Sequence, residues 1–123
     1  MSHTIEITKE FGFEAAHCLP AMPKGHPYTR LHGHSFRVEV TVAGAPDAAL
    51  GWVVDFATLD DAIARLRDRL DHHTLNDVPG LEQPTLEQIG QWIFAHLGEA
   101  VPGLAEVVVR RDSVGERCRV RRA

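Results

Sequence analysis

Residues 4–13, TIEITKEFGF, alternate apolar and polar side chains, with Ile5, Ile7, Phe11 and Phe13 on one parity. A period of two belongs to a strand with one face on a core and the other on solvent. Residues 35–42, SFRVEVTV, repeat the pattern: Phe36, Val38, Val40 and Val42 face one way, Arg37, Glu39 and Thr41 the other. The Gly44-Ala45-Pro46 stretch breaks this second strand. After Trp52-Val53-Val54 the period lengthens, and Leu59, Ile63, Leu66 and Leu70 recur at helical spacing. Thr58 with Asp61 resembles a capping box opening that helix. A loop through residues 76–80 follows. Pro84-Thr85-Leu86-Glu87-Gln88 opens a second helix with the stripe Leu86, Ile89, Ile93 and Leu97, which Gly98 is expected to close. Ala105 to Arg111 reads as a strand containing Val107-Val108-Val109, and Cys118 to Arg121 as a last one. The order β-β-α-α-β-β predicts an α+β layer, a four-stranded sheet with two helices on one face. Its open edges, with an apolar triple such as Val107–Val109, invite pairing with another copy; the alternative for that triple is an ordinary core strand.

Composition narrows the class. With 17 acidic against 13 basic residues and a net charge of −4, the chain has no broad basic field, which speaks against nucleic-acid binding. No apolar run approaches the ~18 residues of a membrane span, and the N-terminus lacks an apolar signal segment. Cys18 and Cys118 make no disulfide framework. One domain over residues 1–123, in the cytoplasm, is the expectation.

Histidine changes the picture. The chain has eight, most of them between positions 17 and 73. His32 and His34, two apart on a strand, project to one face. His34 shares parity with Phe36 to Val42, and His17 shares parity with Phe11, Phe13 and Ala15. If each strand stays regular, three imidazoles continue the inward-facing apolar stripes. A single histidine on such a face is usually a satisfied core residue, but three unpaired imidazoles are costly to bury. Three neutral nitrogens with an open fourth position are what a catalytic zinc site requires. The run Leu70-Asp71-His72-His73-Thr74-Leu75-Asn76 offers a second candidate. A carboxylate beside a histidine can orient the ring for general acid–base work; equally, a histidine in a last helical turn is favoured by the helix dipole.

Five blocks carry a family resemblance: Phe13-Glu14-Ala15-Ala16-His17, Leu31-His32-Gly33-His34-Ser35-Phe36, Gly51-Trp52-Val53-Val54-Asp55-Phe56, residues 70–76, and Pro84-Thr85-Leu86-Glu87. In this order, across residues 5–111, they resemble the 6-pyruvoyltetrahydropterin synthase / 6-carboxytetrahydropterin synthase family. The resemblance implies the tunnelling fold, whose subunits associate through sheet edges into a barrel, as a trimer or a hexamer. It implies zinc on His17, His32 and His34, a small pterin-like substrate with Thr85 among its contacts, and an Asp71–His72 pair assisting proton transfer. The bacterial branch of the family converts 7,8-dihydroneopterin triphosphate to 6-carboxytetrahydropterin on the route to 7-deazapurines such as queuosine.

Two positions depart from the family pattern. Tyr28 stands where the proton-abstracting cysteine is usual, and a phenol titrates near ~10 against ~8.5 for a thiol. Arg111 stands where a glutamate usually accepts hydrogen bonds from the pterin's amino-pyrimidinone edge. Arginine only donates, so donor would face donor, unless a bulge brings Asp112 into register. Weak turnover of dihydroneopterin triphosphate is therefore expected. Three readings follow: a lyase of this family, a diverged paralogue using the same zinc site on another substrate, or a non-catalytic zinc- or pterin-binding protein. The three histidines with the Asp–His pair favour an enzyme, and the two departures favour divergence.

Overall fold

The computed structural model describes residues 3–123. Strands β1 (Ile5–His17) and β2 (His32–Gly44) are followed by helices α1 (Phe56–Arg67) and α2 (Leu86–Ala100), then by β3 (Leu104–Arg111) and β4 (Glu116–Arg121). The four strands form one antiparallel sheet in the order β1-β2-β3-β4. The element order and the α+β layer are those the pattern predicts.

The inward parity is as read from the alternation. Phe13, Phe36, Val38, Val40, Val42, Val107 and Val109 are buried, and so are Leu59, Ile63 and Leu66 of α1 and Leu86, Ile89, Ile93 and Leu97 of α2. Phe13 stacks on Phe36 with ring centroids 4.9 Å apart. This shared apolar layer holds both helices against one face of the sheet.

Several local expectations change. β1 and β2 run further than the alternation alone suggests, because Ala15 pairs with His34 and His17 with His32. The cap of α1 is Asp55, not Thr58. Asp55 has an extended backbone, its carboxylate accepts from the Thr58 amide at 2.8 Å, and the Thr58 hydroxyl donates back to it at 2.7 Å. Leu70 lies beyond the end of α1 yet is fully buried. Gly98 stays inside α2. The left-handed glycine that turns the chain comes later, at Gly103 (φ 84°), where a Cβ would stand 2.8 Å from the Ala43 carbonyl. The Val107–Val109 triple is no edge, since β3 lies between β2 and β4. The sheet edges are β1 and β4. Among the described residues no helix is long and apolar enough to cross a membrane.

Candidate metal and substrate site

The pleat continues past the apolar core and brings the three predicted histidines together. His17 ends β1, while His32 and His34 open β2 directly beside it. Ring centroids are 4.7 Å apart for His17–His32, 5.0 Å for His17–His34 and 4.9 Å for His32–His34. One ring nitrogen from each lies within 4.8 Å of the others.

Backbone carbonyls set the tautomers. His17 Nδ1 is 2.8 Å from the Pro84 carbonyl, and His32 Nδ1 is 2.8 Å from that of Arg30. A carbonyl only accepts, so in the neutral ring each Nδ1 carries the proton and each Nε2 presents a lone pair. His17 is fully buried, and its Nε2 has no partner. Burial pulls the His17 pKa down to about 4, against a smaller upward effect of the Pro84 bond. Burial, and then the Arg111 charge, lower that of His34 as well. Neutral imidazoles with an orphaned, buried lone pair are the donor set a divalent metal of the zinc type accepts.

The histidines line a cavity of about 490 Å³ together with Leu19, Tyr28, Leu31, Arg111, Val114 and Glu116. Tyr28 sits in a single turn of 3-10 helix (Pro27–Thr29) and is half exposed. Arg111 continues the inward stripe of Val107 and Val109. It forms an ion pair with Glu116 at 2.8 Å, and its Nε is buried without a partner. Asp112 does not come into register. Arg111 pairs with Glu116 without a bulge, and Asp112 is bound by Arg110 Nε at 3.0 Å and Nη2 at 3.2 Å. That guanidinium holds the Asp112 carboxyl below its usual range.

Asp71 and His72 lie elsewhere. Asp71 Oδ2 is 2.9 Å from His72 Nδ1, and its Oδ1 accepts from the Glu14 amide at 2.8 Å. These bonds, the Glu14 one foremost, lower the Asp71 pKa. His72 is outside α1, in a left-handed conformation (φ 60°) uncommon for a side-chain-bearing residue, and its amide donates to the Glu14 carbonyl. This loop lies along the edge of β1, where the Ala16 amide donates to the His73 carbonyl. His72 lines a second cavity of about 530 Å³ with Glu14, Ala16, Ser35 and Thr74, and His34 is a wall of both cavities. Neither Asp71 nor His72 is a wall of the histidine cavity. Thr85 is not one either: it caps α2, its hydroxyl accepting from the Gln88 amide at 3.1 Å, while the preceding Pro84 carbonyl holds His17.

Two contributors escape a reading of the sequence. Glu116 shares parity with Cys118 and Val120, a signal weakened by the short strand and visible only once its register with β3 is known. Asn76 clamps both backbone groups of Cys18, at 3.0 and 2.8 Å, and so steadies the end of β1 at His17.

Comparison with known proteins gives the chain a family. The 6-pyruvoyl tetrahydropterin synthase family model matches residues 6–123. A 6-carboxy-5,6,7,8-tetrahydropterin synthase of Synechocystis is 50% identical over 109 residues, covering 84% of this chain and 83% of that protein. A dihydroneopterin monophosphate aldolase of Pyrococcus furiosus is 35% identical over 104 residues, 85% of this chain and 82% of the other. The solved 6-pyruvoyl tetrahydropterin synthase of Caenorhabditis elegans superposes with a TM-score of 0.88 at 20% identity, over 98% of this chain and 97% of that one, and so shares the fold. With its family motifs in order on this fold, the chain belongs to the 6-pyruvoyl tetrahydropterin synthase family.

Proposed function

We propose that the protein is a zinc-dependent lyase of the 6-carboxytetrahydropterin synthase type, acting on 7,8-dihydroneopterin triphosphate or a related pterin in 7-deazapurine (queuosine) biosynthesis. The observation that carries this reading is the buried, unpartnered Nε2 of His17, converging with His32 and His34 in one cavity. The 50% identical relative with that name supports it. Zinc, when bound, would supply Lewis acidity toward oxygens of the substrate side chain. His17, His32 and His34 hold it, with the carbonyls of Pro84 and Arg30 fixing two of the rings. Tyr28 presents its phenol to the same cavity, at the place of the family's cysteine. Asp71 orients His72 so that Nε2 can take or give a proton.

The pair and the metal site meet through a second copy. The histidine cavity reaches β4 through Glu116, whereas the loop bearing His72 lies on the edge of β1. Pairing β1 of one copy with β4 of the next, as in a barrel of three or six chains, sets His72 of one copy beside the cavity of another. Mixing His32→Ala with His72→Ala, each inactive alone, then restores measurable activity. If the two sites work within one chain, the mixture stays inactive.

The second reading, a paralogue using the same site on another substrate such as a dihydroneopterin monophosphate, is favoured by Tyr28 in place of the family's cysteine and by the aldolase name of the Pyrococcus relative. Zinc-loaded protein incubated separately with dihydroneopterin triphosphate and monophosphate, with products followed by mass spectrometry, decides between them. A 6-carboxylated product supports the first reading. Side-chain cleavage of the monophosphate without a carboxylated product supports the second. Unchanged substrates would leave only a binding protein.

A further inference from the structure

At one end of the sheet, the inward stripe of every strand finishes in a polar side chain, and on β3 and β4 these are not histidines. Val107 faces Val120 and Val109 faces Cys118; the next inward pair is Arg111 facing Glu116. The turn between the two strands closes through Gly115 (φ 68°), so the ion pair sits at the root of a tight hairpin. Both side chains line the cavity that holds the three histidines.

We propose that Arg111 and Glu116 act together as the specificity subsite of this cavity. Glu116 accepts from a ligand N–H, and Arg111 donates to the adjacent ligand carbonyl. The ligand class is a neutral heterocycle carrying C=O next to N–H, such as the amino-pyrimidinone edge of a pterin. This rests on the pterin reading above, and it transfers the anchoring carboxylate from β3 to the facing residue of β4.

The chemistry of the pair decides between this ligand and a simple anion. A carboxylate has about four acceptor sites. Glu116 uses Oε1 for Arg111, and its side chain remains 49% exposed. Arg111 gives one Nη2 contact to Glu116, and its Nε has no partner. The pair therefore offers an acceptor and donors side by side with its net charge cancelled. A phosphate or carboxylate would gain from Arg111 but would meet the Glu116 carboxylate only 2.8 Å from that guanidinium. A lactam edge satisfies both groups at once. Asp112 cannot serve instead, being held by Arg110, which also binds Glu39 and Glu10.

The test is calorimetric titration of the zinc-loaded protein with neopterin, an oxidised pterin, and separately with inorganic phosphate. Glu116→Gln is expected to weaken neopterin binding about tenfold or more, the loss of one or two charge-assisted bonds. Glu116→Asp should recover part of it, and zinc content should not change. On the wild-type protein, a pterin methylated at N3 and dimethylated on the 2-amino group, and so lacking every N–H on that edge, should bind as poorly as neopterin does to Glu116→Gln. This ligand-side arm holds even if the variant fails to fold. Neopterin bound equally by wild type and Glu116→Gln, with the methylated pterin bound as well as neopterin, overturns the Glu116 assignment and leaves the pterin reading standing. Tighter phosphate binding to Glu116→Gln with neopterin binding unchanged also overturns it, in favour of an anion subsite. No neopterin binding by a wild type that retains zinc overturns the pterin reading as well.

Discussion

The inward face of the sheet has two regions built on the same pleat. In the first, Phe13, Phe36, Val38, Val40, Val107 and Val109 are at most 1% exposed and lie among the apolar stripes of the helices. In the second, one or two pleats further along, the same parity carries His17, His34, Arg111 and Glu116, and no residue of α1 or α2 lines their cavity. Apolar burial is non-directional, so the first region is complete within one chain. Each polar group in the second needs a partner, and His17 Nε2 and Arg111 Nε lack one. The contrast separates the part of the sheet whose contacts are complete within the chain from the part that leaves buried polar atoms without partners.

The sharpest way to break the contrast is at the metal end. His32→Ala should remove stoichiometric zinc while the chain stays folded, since His32 is not part of the buried core. Metal analysis and circular dichroism together check this, and undiminished zinc would mean that the three histidines are not its ligands. The converse change, Phe36→Ala, should cost about 3–5 kcal/mol of stability through the cavity it leaves. Chemical denaturation measures that loss. The fraction still folded should keep its zinc.

A smaller effect joins the two regions, because His17 is both buried and polar. Its folded pKa of about 4 lies below the ordinary 6.5. Between those values the unfolded chain binds a proton that the folded chain refuses. The contribution of His17 is therefore complete above pH 6.5 and is lost as pH falls toward 4, by on the order of 3 kcal/mol in metal-free protein. Denaturation of the apo form across that window, compared with His17→Phe, reads it directly; equal slopes for the two would contradict the assignment. The smallest expected change lies away from the sheet: Asp55→Ala, which uncaps α1, should cost about 1 kcal/mol and leave zinc binding untouched.

How legible these regions were in the chain differs with the physics behind each. The period of two in TIEITKEFGF and SFRVEVTV was enough to place Phe13 and Phe36 inward, and its extension placed His17 and His34 on the same side. Helix ends were harder. Thr58 and Asp61 mimic a capping box, yet Asp55 takes the cap because its backbone is extended where the chain enters α1. The Asp71–His72 contact was visible as adjacency, but its separation from the metal cavity depends on the loop's path along β1.

The sequence by itself determined the element order, the inward face of each strand and the identity of the three histidines, because each follows from the local side-chain period and composition. Only the tertiary structure decided that β3 is an inner strand, that Arg111 meets Glu116 and that Arg110 removes Asp112. Those three depend on strand register and order, which are set by packing between segments far apart in the chain.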